Sequence, residues 1–307
     1  MGAACQVSAR FFEPPAALRR YFTTFYLVEC AIGEGRRMTD HLHPEWANLR
    51  LFSGDCPDAE GLGGDRLSGS AFCVTGPSSK AVRFTVGTTR MWGVGLLPLG
   101  WVRFVGAPAS TLADAVVDGH AHPAFRAFVP LATSLFGPEP DPDGELERIA
   151  GHFLARLPDA LPAADEARIV AIHASLVDPE VATVSDLVAR AGTSQRTVER
   201  LCARAFGFSP KIMLRRQRFM RSLSHYLLDP SLKWIGALDG HYHDQAQFVR
   251  DFHAFMGMSP SAYAALDKPI LSAVMQARAC FAGRPVQALD SPDGGAARPV
   301  APAGRSL

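Results

Sequence analysis

A segment that repeats at a constant offset of 50 residues constrains the fold of this chain more than any other feature. Residues 194–210 have the sequence SQRTVERLCARAFGFSP, and residues 244–260 have the sequence DQAQFVRDFHAFMGMSP. In both copies a Ser or Asp precedes a Gln, and both copies end in Gly, an apolar residue, Ser and Pro. The match of Leu201 with Asp251 breaks the shared pattern of apolar positions. Because a repeat defines the architectural unit, two copies of one helical unit are predicted.

Each copy carries the signals that begin and end a helix. Ser194 and Asp244 are N-cap residues, whose side chains accept the free amide hydrogens of the first turn. Gly207 and Gly257 favour the left-handed backbone conformation that ends a helix. The Ser-Pro pair that follows each glycine then begins another helix, with proline at its first position.

A shorter helix precedes each copy, and one long helix joins the two. The first short helix is predicted to start at Thr183–Asp186 and the second to span Leu232–Leu238. The joining helix is predicted over Lys211–Leu228. Each unit is therefore a helix, a turn with glycine and a second helix, which defines a helix-turn-helix.

Positive charge is concentrated in the same part of the chain. Residues 181–268 contain 12 Lys and Arg against 7 Asp and Glu, whereas residues 1–180 contain 15 against 21. A solvated helix face explains a basic run about as well as a polyanion site does. The repeat and the charge together favour nucleic acid as the partner.

Two such units on one rigid linker suit the geometry of duplex DNA. The second helix of each unit, about 194–206 and 244–256, fits a major groove, and successive major grooves lie about 34 Å apart. Lys211, Arg215, Arg216 and Arg218 are predicted to contact phosphates. The candidate DNA-binding residues are Gln195, Arg196, Glu199, Arg200, Arg204, Lys211, Arg215, Gln245, Ala246, Gln247 and Arg250.

The N-terminal part is predicted to contain β-strands, and the part that follows it to be helical. Short apolar runs that alternate with Gly and Pro are typical of a sandwich or barrel; they span 49–54, 71–77, 82–87 and 91–97. Pro15–Val28 has helical spacing, because apolar side chains recur on one face. Residues 123–177 also have helical spacing, broken by prolines, and are predicted to be a helical connector. The predicted fold class is α+β.

Composition excludes several other classes of protein. With 48% hydrophobic and 20% charged residues, the chain is predicted to fold rather than to be mainly disordered. No uncharged apolar run reaches the roughly 18 residues of a membrane span, and no secretory signal is recognised. Six cysteines without a CxxC motif fit reduced thiols, so a cytoplasmic location is expected. Residues 283–307 have few large apolar groups and are predicted to be a disordered tail.

The repeated motifs also carry a family resemblance. Residues 184–201, 206–210, 244–252 and 257–263 resemble the DNA-binding domain of AraC/XylS-type transcription regulators, over about 170–268. This resemblance implies a seven-helix domain with two helix-turn-helix units that binds promoter DNA and often contacts RNA polymerase. The base-reading positions that it implies are Arg196, Glu199, Arg200, Gln245, Ala246, Gln247 and Arg250.

Two departures from the family pattern lie in the second unit. The turn over 240–244 is one residue longer than usual. Gly236 stands where the family usually has alanine. Glycine in place of alanine destabilises a helix by about 1 kcal/mol. The second unit is therefore expected to bind DNA less specifically than the first.

The N-terminal part is similar to the sensor domains of some of these regulators, through 14–22, 43–46, 76–77 and 93–98. This similarity implies a cupin-like β-barrel that holds a small-molecule effector, with the connector as a contact between two copies. The expected division is a sensor domain over 1–122, the connector over 123–177, the DNA-binding domain over 178–268 and the tail over 283–307.

Two other function classes stay open. His41, His43 and Glu45 are residue types that ligate metals, so a metal-dependent cupin-type enzyme fused to a DNA-binding module is the main alternative. A structural or partner-binding protein without a ligand is the other alternative. The favoured prediction is a transcription regulator that is not an enzyme and has no metal or other cofactor. Its expected partners are promoter DNA, an effector, RNA polymerase and a second copy, with no membrane.

Overall fold

The strands of the N-terminal part form two antiparallel sheets. The computed structural model describes residues 6–157 and 163–292. One sheet has the strand order β1-β2-β9-β4-β7-β10 and the other the order β3-β8-β5-β6. The strands are β1 Gln6–Phe12, β2 Phe22–Ala31, β3 Met38–Leu42, β4 Ala47–Gly54, β5 Asp58–Gly61, β6 Arg66–Ser68, β7 Phe72–Thr75, β8 Val82–Val86, β9 Thr89–Leu96 and β10 Val116–Asp118.

The predicted α+β class is confirmed, but the predicted barrel is not closed. Within the described residues, no ladder of backbone hydrogen bonds joins the six-stranded sheet to the four-stranded one. The four apolar runs predicted as strands are β4, β7, β8 and β9. The strands were predictable because short apolar runs ended by Gly and Pro satisfy their backbone groups only by pairing.

The helix predicted over Pro15–Val28 is wrong, because residues 22–31 form the strand β2. Leu27 lies opposite Arg10 of β1 on one side and Trp92 of β9 on the other. The β2 sequence FTTFYLVECA is rich in aromatic and β-branched residues, which pack well on a pleated surface. Pairing on both edges outweighs the helical spacing of the apolar residues, and only Ala16–Leu18 forms a 3₁₀ turn.

Helices follow the sheets, as the spacing in 123–177 predicts. The α-helices of this middle part are α1 Pro98–Gly100, α2 Val129–Ser134, α3 Pro142–Leu154 and α4 Ala163–Val177. The buried carboxylate of Glu145 fixes α3 to the larger sheet. It accepts two hydrogen bonds from Arg90, at 3.0 and 2.9 Å, and one from Trp92 Nε1 at 2.7 Å.

The C-terminal part contains the two predicted helix-turn-helix units and one further helix. Its helices are α5 Val184–Ala191, α6 Gln195–Ala205, α7 Pro210–Leu228, α8 Lys233–Gly236, α9 Gln245–Met256, α10 Pro260–Ala265 and α11 Pro269–Ala282. The predicted N-caps are confirmed: Ser194 accepts from Thr197 N, and Asp244 accepts from Gln247 N. Helix α8 is shorter than the predicted Leu232–Leu238.

The sheets and the first helix-turn-helix unit share one hydrophobic core. Trp46 of the β-rich part packs edge-on against Phe206, with ring centroids 6.0 Å apart, and the same buried cluster includes Val198 and Leu201 of α6. Gly207 has a φ of +85°, and a Cβ there would lie 3.3 Å from Ala109 O and from Pro77 Cβ. The glycine that ends α6 therefore also allows the two parts to approach closely.

The second unit has a core of its own, built mainly from aromatic rings. Phe219 of α7, Phe248 and Phe252 of α9 and Tyr263 of α10 belong to one buried cluster. Ala81 of the β-rich part belongs to the same cluster. Its backbone N–H donates to Phe255 O at 2.7 Å, so the second unit also rests directly on the sheets.

The tail predicted from residue 283 does not begin there. Residues 284–290, called the C-terminal strap here, pack against both the sheets and the helices, with Val286 and Ala288 buried. The strap is held by polar contacts: Gln287 Nε2 donates to Thr23 Oγ1 at 2.9 Å, and Gln217 Nε2 donates to Ala288 O at 2.7 Å. The rest of the predicted tail, 293–307, lies outside the described residues.

Two buried histidines make stability depend on pH. His43 Nε2 lies 2.7 Å from the hydroxyl oxygen of Tyr263, and His173 Nε2 lies 2.8 Å from the carbonyl oxygen of Asp290. Burial lowers the pKa of each to about 3, whereas an unfolded histidine has a pKa of about 6.5. The unfolded chain therefore binds more protons between these values, and the free energy of unfolding falls as the pH decreases from about 6.5 toward 3.

We expect His43→Gln to reduce this pH dependence. At pH 5, protonation of one unfolded histidine favours unfolding by about 2 kcal/mol relative to pH 7. Urea unfolding at both pH values measures the loss, which should be smaller in the variant by about that amount. The matched control is His225→Gln, because His225 is exposed on α7. An equal pH dependence in wild type and His43→Gln would contradict the assignment.

Candidate nucleic-acid interface

Helix α6 presents one polar face and buries the other. Val198, Leu201, Cys202 and Ala205 point into the shared core. The predicted site residues Gln195, Arg196, Glu199 and Arg200 are all exposed, and Arg204 is half-buried. Gln195 Nε2 donates to Glu199 Oε1 at 2.9 Å, one helical turn away. The helix thus offers a row of hydrogen-bonding side chains to a partner.

Helix α9 repeats this arrangement. Gln245, Ala246 and Arg250 are exposed, and Phe248 and Phe252 are buried. Gln247 is half-buried, and its Oε1 accepts from His243 N at 3.2 Å. This side chain therefore also fixes the turn that leads into α9.

Asp251 has contacts that explain why the repeat places a charged residue opposite the apolar Leu201. Its side chain is only 3% exposed and lies where α6 places the buried Leu201. It pairs with Arg215 Nε and with Arg218 Nη2, the latter at 3.2 Å, and it accepts from the Tyr242 hydroxyl at 3.0 Å. A charge network thus holds α9 to α7 where the first unit uses an apolar contact. The two arginines on α7 were the sequence signal for this network.

Asp239 anchors the longer turn of the second unit. Its carboxylate accepts from His241 N at 3.0 Å and pairs with Arg221 of α7. Its backbone N–H donates to Ser222 Oγ at 2.8 Å. These contacts fix the start of the turn over 240–244, so the longer turn is still held to α7.

The phosphate contact predicted for Arg216 is wrong, because Arg216 is fully buried. Its guanidinium lies over the ring of Trp46, 4.2 Å from the centroid, and donates to Ser78 O at 2.9 Å and Glu45 O at 3.3 Å. Burial lowers its pKa to about 9, so the group stays charged at pH 7. Arg218 is also largely buried against Asp251 and over the Tyr242 ring. Helical spacing placed both residues correctly on α7, but it did not show that Arg216 meets the β-rich part and that Arg218 meets α9.

The remaining basic residues differ in how they are held. Arg200 and Arg204 of α6 both reach Asp165 of α4, at 3.5 and 3.4 Å. Lys211 is exposed at the start of α7. Arg215 keeps 40% of its side chain exposed although it pairs with Asp251. Among the described residues, no ion-pair partner is found for the exposed Arg196 of α6.

The proposed metal ligands do not converge. His43 is hydrogen-bonded to Tyr263, and Glu45 Oε1 accepts from Arg50 Nη2 at 2.7 Å and from Thr75 Oγ1 at 2.9 Å. Within residues 6–157 and 163–292, no three His, Cys, Asp or Glu side chains are grouped so that they could hold a metal ion.

Comparison with known proteins identifies the C-terminal part. Residues 187–265 match a family model described as a helix-turn-helix domain. Residues 187–265 therefore form a helix-turn-helix domain, which is the domain type that the AraC/XylS resemblance implies. A search of curated proteins finds no match. No helix in the described part of the chain is both long and apolar enough to cross a bilayer.

Solved structures similar to this chain include ToxT from Vibrio cholerae O395, with 10% identity and a TM-score of 0.38 over 84% of this chain and 96% of that chain. A ToxT structure bound to (E)-4-(8-methylnaphthalen-1-yl)but-3-enoic acid is also similar, with 10% identity and a TM-score of 0.41 over 85% and 98%. The AraC-like transcriptional activator CuxR has 14% identity and a TM-score of 0.27 over 68% and 84%.

We expect Arg216→Met to destabilise the protein without removing a DNA contact. The change leaves the carbonyl oxygen of Ser78 without this donor and leaves Glu45 O with only the Ser78 N–H. It should lower the free energy of unfolding by about 3 kcal/mol. Lys211→Ala, on the exposed part of the same helix, should change it by less than about 0.5 kcal/mol. Urea unfolding of both variants measures the difference. A loss below about 1 kcal/mol for Arg216→Met would show that the buried guanidinium is not a structural contact.

Proposed function

We propose that this protein is a sequence-specific transcription regulator that inserts α6 and α9 into successive major grooves of promoter DNA. The observation that carries the proposal is the pair of capped helices, each preceded by a shorter helix and each with an exposed face of Arg and Gln side chains. The two helices are joined by the single long helix α7, which the ion pairs of Asp251 fix to α9. We propose that this pair of helices spans adjacent major grooves, which lie about 34 Å apart.

The exposed side chains of α6 and α9 are proposed to read base edges. Arginine pairs with guanine and glutamine with adenine through two hydrogen bonds each, and each good pair gives roughly 1–3 kcal/mol of discrimination. The proposed base readers are Gln195, Arg196, Glu199, Arg200, Gln245, Ala246, Gln247 and Arg250. Lys211, Arg204 and the exposed part of Arg215 are proposed to contact phosphates, which position the protein without specifying a sequence.

The β-rich part is proposed to sense a small molecule and to pass its state to the helix-turn-helix units. The shared core and the contacts of Ala81 and Arg216 support such a link, since a change in the sheets moves groups that α7 and α9 touch. The same proposal includes contact with RNA polymerase and pairing of two copies through 123–177. It also includes a cytoplasmic location. No catalytic role is proposed, because two residues of the alternative metal site are hydrogen-bonded to other side chains. His43 is bonded to Tyr263, and Glu45 is bonded to Arg50.

We expect Arg196→Ala to relax base preference at one position of the bound sequence. Duplexes selected from a random pool with the wild-type protein provide the site, and binding to its single-base variants gives the preference. Lys211→Ala should instead lower the affinity for all DNA sequences about equally. It should also reduce the slope of log affinity against log salt by about 1. Equal effects of the two variants on every sequence would refute this division of roles, and an absence of salt-dependent DNA binding by the wild type would refute the function.

We expect Asp165→Asn to strengthen DNA binding. The carboxylate of Asp165 holds Arg200 and Arg204, which belong to the proposed DNA-binding face. Both arginines are partly exposed, so each pair contributes about 0.5 kcal/mol at most, and its removal should raise affinity two- to fivefold at low salt. Glu147→Gln removes one negative charge from an exposed position of α3 and is the matched control. An equal gain in both variants would show a general charge effect.

A further inference from the structure

A single acidic residue lies within the most basic stretch of the chain. Residues 190–221 contain nine Lys and Arg and one acid, Glu199. Glu199 lies on the exposed face of α6, which carries proposed base readers. Because the phosphates of DNA repel an anion, a carboxylate on this face weakens DNA binding unless a base supplies a hydrogen-bond donor to it. Glu199 is therefore either a structural contact or a reader of bases.

Glu199 contributes little to the structure of α6. Its Oε1 accepts from Gln195 Nε2 at 2.9 Å, and both side chains are exposed. A hydrogen-bonded pair one turn apart on an exposed helix face stabilises that helix only slightly. Among the described residues, no ion-pair partner is found for Glu199, whereas the adjacent Arg200 reaches Asp165 of α4. A structural contact therefore does not explain this carboxylate.

The hydrogen bond between the two side chains decides which groups they offer to a base. A free glutamine pairs with adenine through one donor and one acceptor. Here Gln195 Nε2 is directed to Glu199, so Gln195 is not free to form that pair. Glu199 keeps Oε2, and an ionised carboxylate oxygen only accepts hydrogen bonds. The pair thus presents acceptors to a partner and suits a base with an amino group.

Cytosine is the base whose edge in the major groove fits these acceptors. It presents the N4 amino group as a donor and has no acceptor on that edge. Adenine also has an amino group, but its N7 acceptor lies beside it, and guanine and thymine present the acceptors O6 and O4. An acceptor placed against another acceptor is repulsive, so the other bases are disfavoured at such a position.

The second helix-turn-helix unit lacks this acid. The offset of 50 residues places Gln245 opposite Gln195 and Val249 opposite Glu199. Gln245 is exposed, and no hydrogen-bond partner is found for its side chain within the described part of the chain. Its amide is therefore free to pair with adenine through both of its groups. Two glutamines at matching positions of the repeat are thus expected to act differently.

We propose that Glu199 of α6 reads a cytosine in the major groove by accepting a hydrogen bond from its N4 amino group, and that Gln195 positions the carboxylate for this contact. Gln195 is a positioning residue, because it acts through Glu199. Arg196, on the same helix and also exposed, supplies a positive charge that offsets the repulsion between the carboxylate and the phosphates. The inference rests on the proposed function, since it requires α6 to lie in a major groove.

The base preference of the full chain tests this inference. Duplexes selected from a random pool give the bound sequence, and affinities for its single-base variants give the preference at each position. Glu199→Ala marks the position that Glu199 reads, because the preference should be lost there alone. In the wild type this position should be cytosine, preferred roughly tenfold over each other base. Another base at this position, or unchanged preferences in Glu199→Ala, would overturn the proposal.

Glu199→Gln tests the chemistry of the carboxylate. When Gln195 still donates to the side-chain oxygen, the new amide presents an N–H donor in place of an acceptor. Cytosine, which has no acceptor on that edge, should then become the least favoured base at this position. Affinity for all sequences should rise about twofold at low salt, because one negative charge is removed.

The control for this charge effect is Glu147→Gln, on the exposed face of α3. It removes the same charge and should leave every base preference unchanged. A preference for cytosine that is retained in Glu199→Gln would rule out the carboxylate as the acceptor and overturn the proposal.

Two substitutions of Gln195 test its positioning role. Gln195→Ala removes the donor, so the carboxylate rotates freely and the preference for cytosine should fall to about threefold. Gln195→Lys supplies another donor to Glu199 and should restore the full preference. Gln245→Ala, at the matching position of α9, should instead relax a preference for adenine elsewhere in the site. A cytosine preference in Gln195→Ala equal to that of the wild type would refute the positioning role.

The same measurements separate this inference from the proposed function. If the wild-type chain shows no salt-dependent binding to DNA, the transcription regulator is refuted, and the reading of cytosine with it. If the chain binds a selected sequence tightly but Glu199→Ala relaxes no cytosine position, only the reading of cytosine is overturned. In that case Glu199 and Gln195 form an ordinary solvated pair on the helix surface.

Discussion

The contact of Arg216 with Trp46 is the interaction on which the arrangement of this molecule depends. A guanidinium withdrawn from water is costly, and here its cost is offset by an aromatic face and by backbone carbonyl acceptors. Those acceptors belong to Glu45 and Ser78 of the β-rich part, whereas Arg216 belongs to the helix between the two helix-turn-helix units. Separating the two parts would leave polar groups on both sides without their partners. The sheets and α7 are thereby held in one orientation.

Helix α7 carries out two tasks with neighbouring arginines. Arg216 faces the sheets, while Arg215 and Arg218 pair with Asp251 of α9. Successive residues of a helix point in different directions, so one basic run serves two contacts that do not compete. Three of the four basic residues of α7 that the sequence predicted to bind phosphate therefore make contacts within the protein. The exposed cations of the proposed DNA face are accordingly few, and Arg196, Arg200, Lys211 and Arg250 are the main ones.

The sequence predicted local structure well and long-range contacts poorly. The caps at Ser194 and Asp244 and the glycine that ends α9 depend on neighbouring residues, and the structure confirms them. The strand β2 was missed because its spacing also fits a helix, and only pairing with β1 and β9 decides between the two. Burial of Arg216 was missed because it depends on Trp46, 170 positions earlier in the chain. The domain limits at 122 and 177 stay predictions.

The C-terminal strap has a consequence for the order of folding. Thr23, Gln217 and His173 each meet a residue of the strap that lies far later in the chain. During synthesis the strap leaves the ribosome after every element that it touches. Until then, the polar groups of Thr23, Gln217 and His173 are solvated. Their native hydrogen bonds form only after the strap has emerged. An early stop after α10 would release a chain whose second helix-turn-helix unit lacks the core residues Val286 and Ala288, and such a chain would be a substrate for chaperones and proteases.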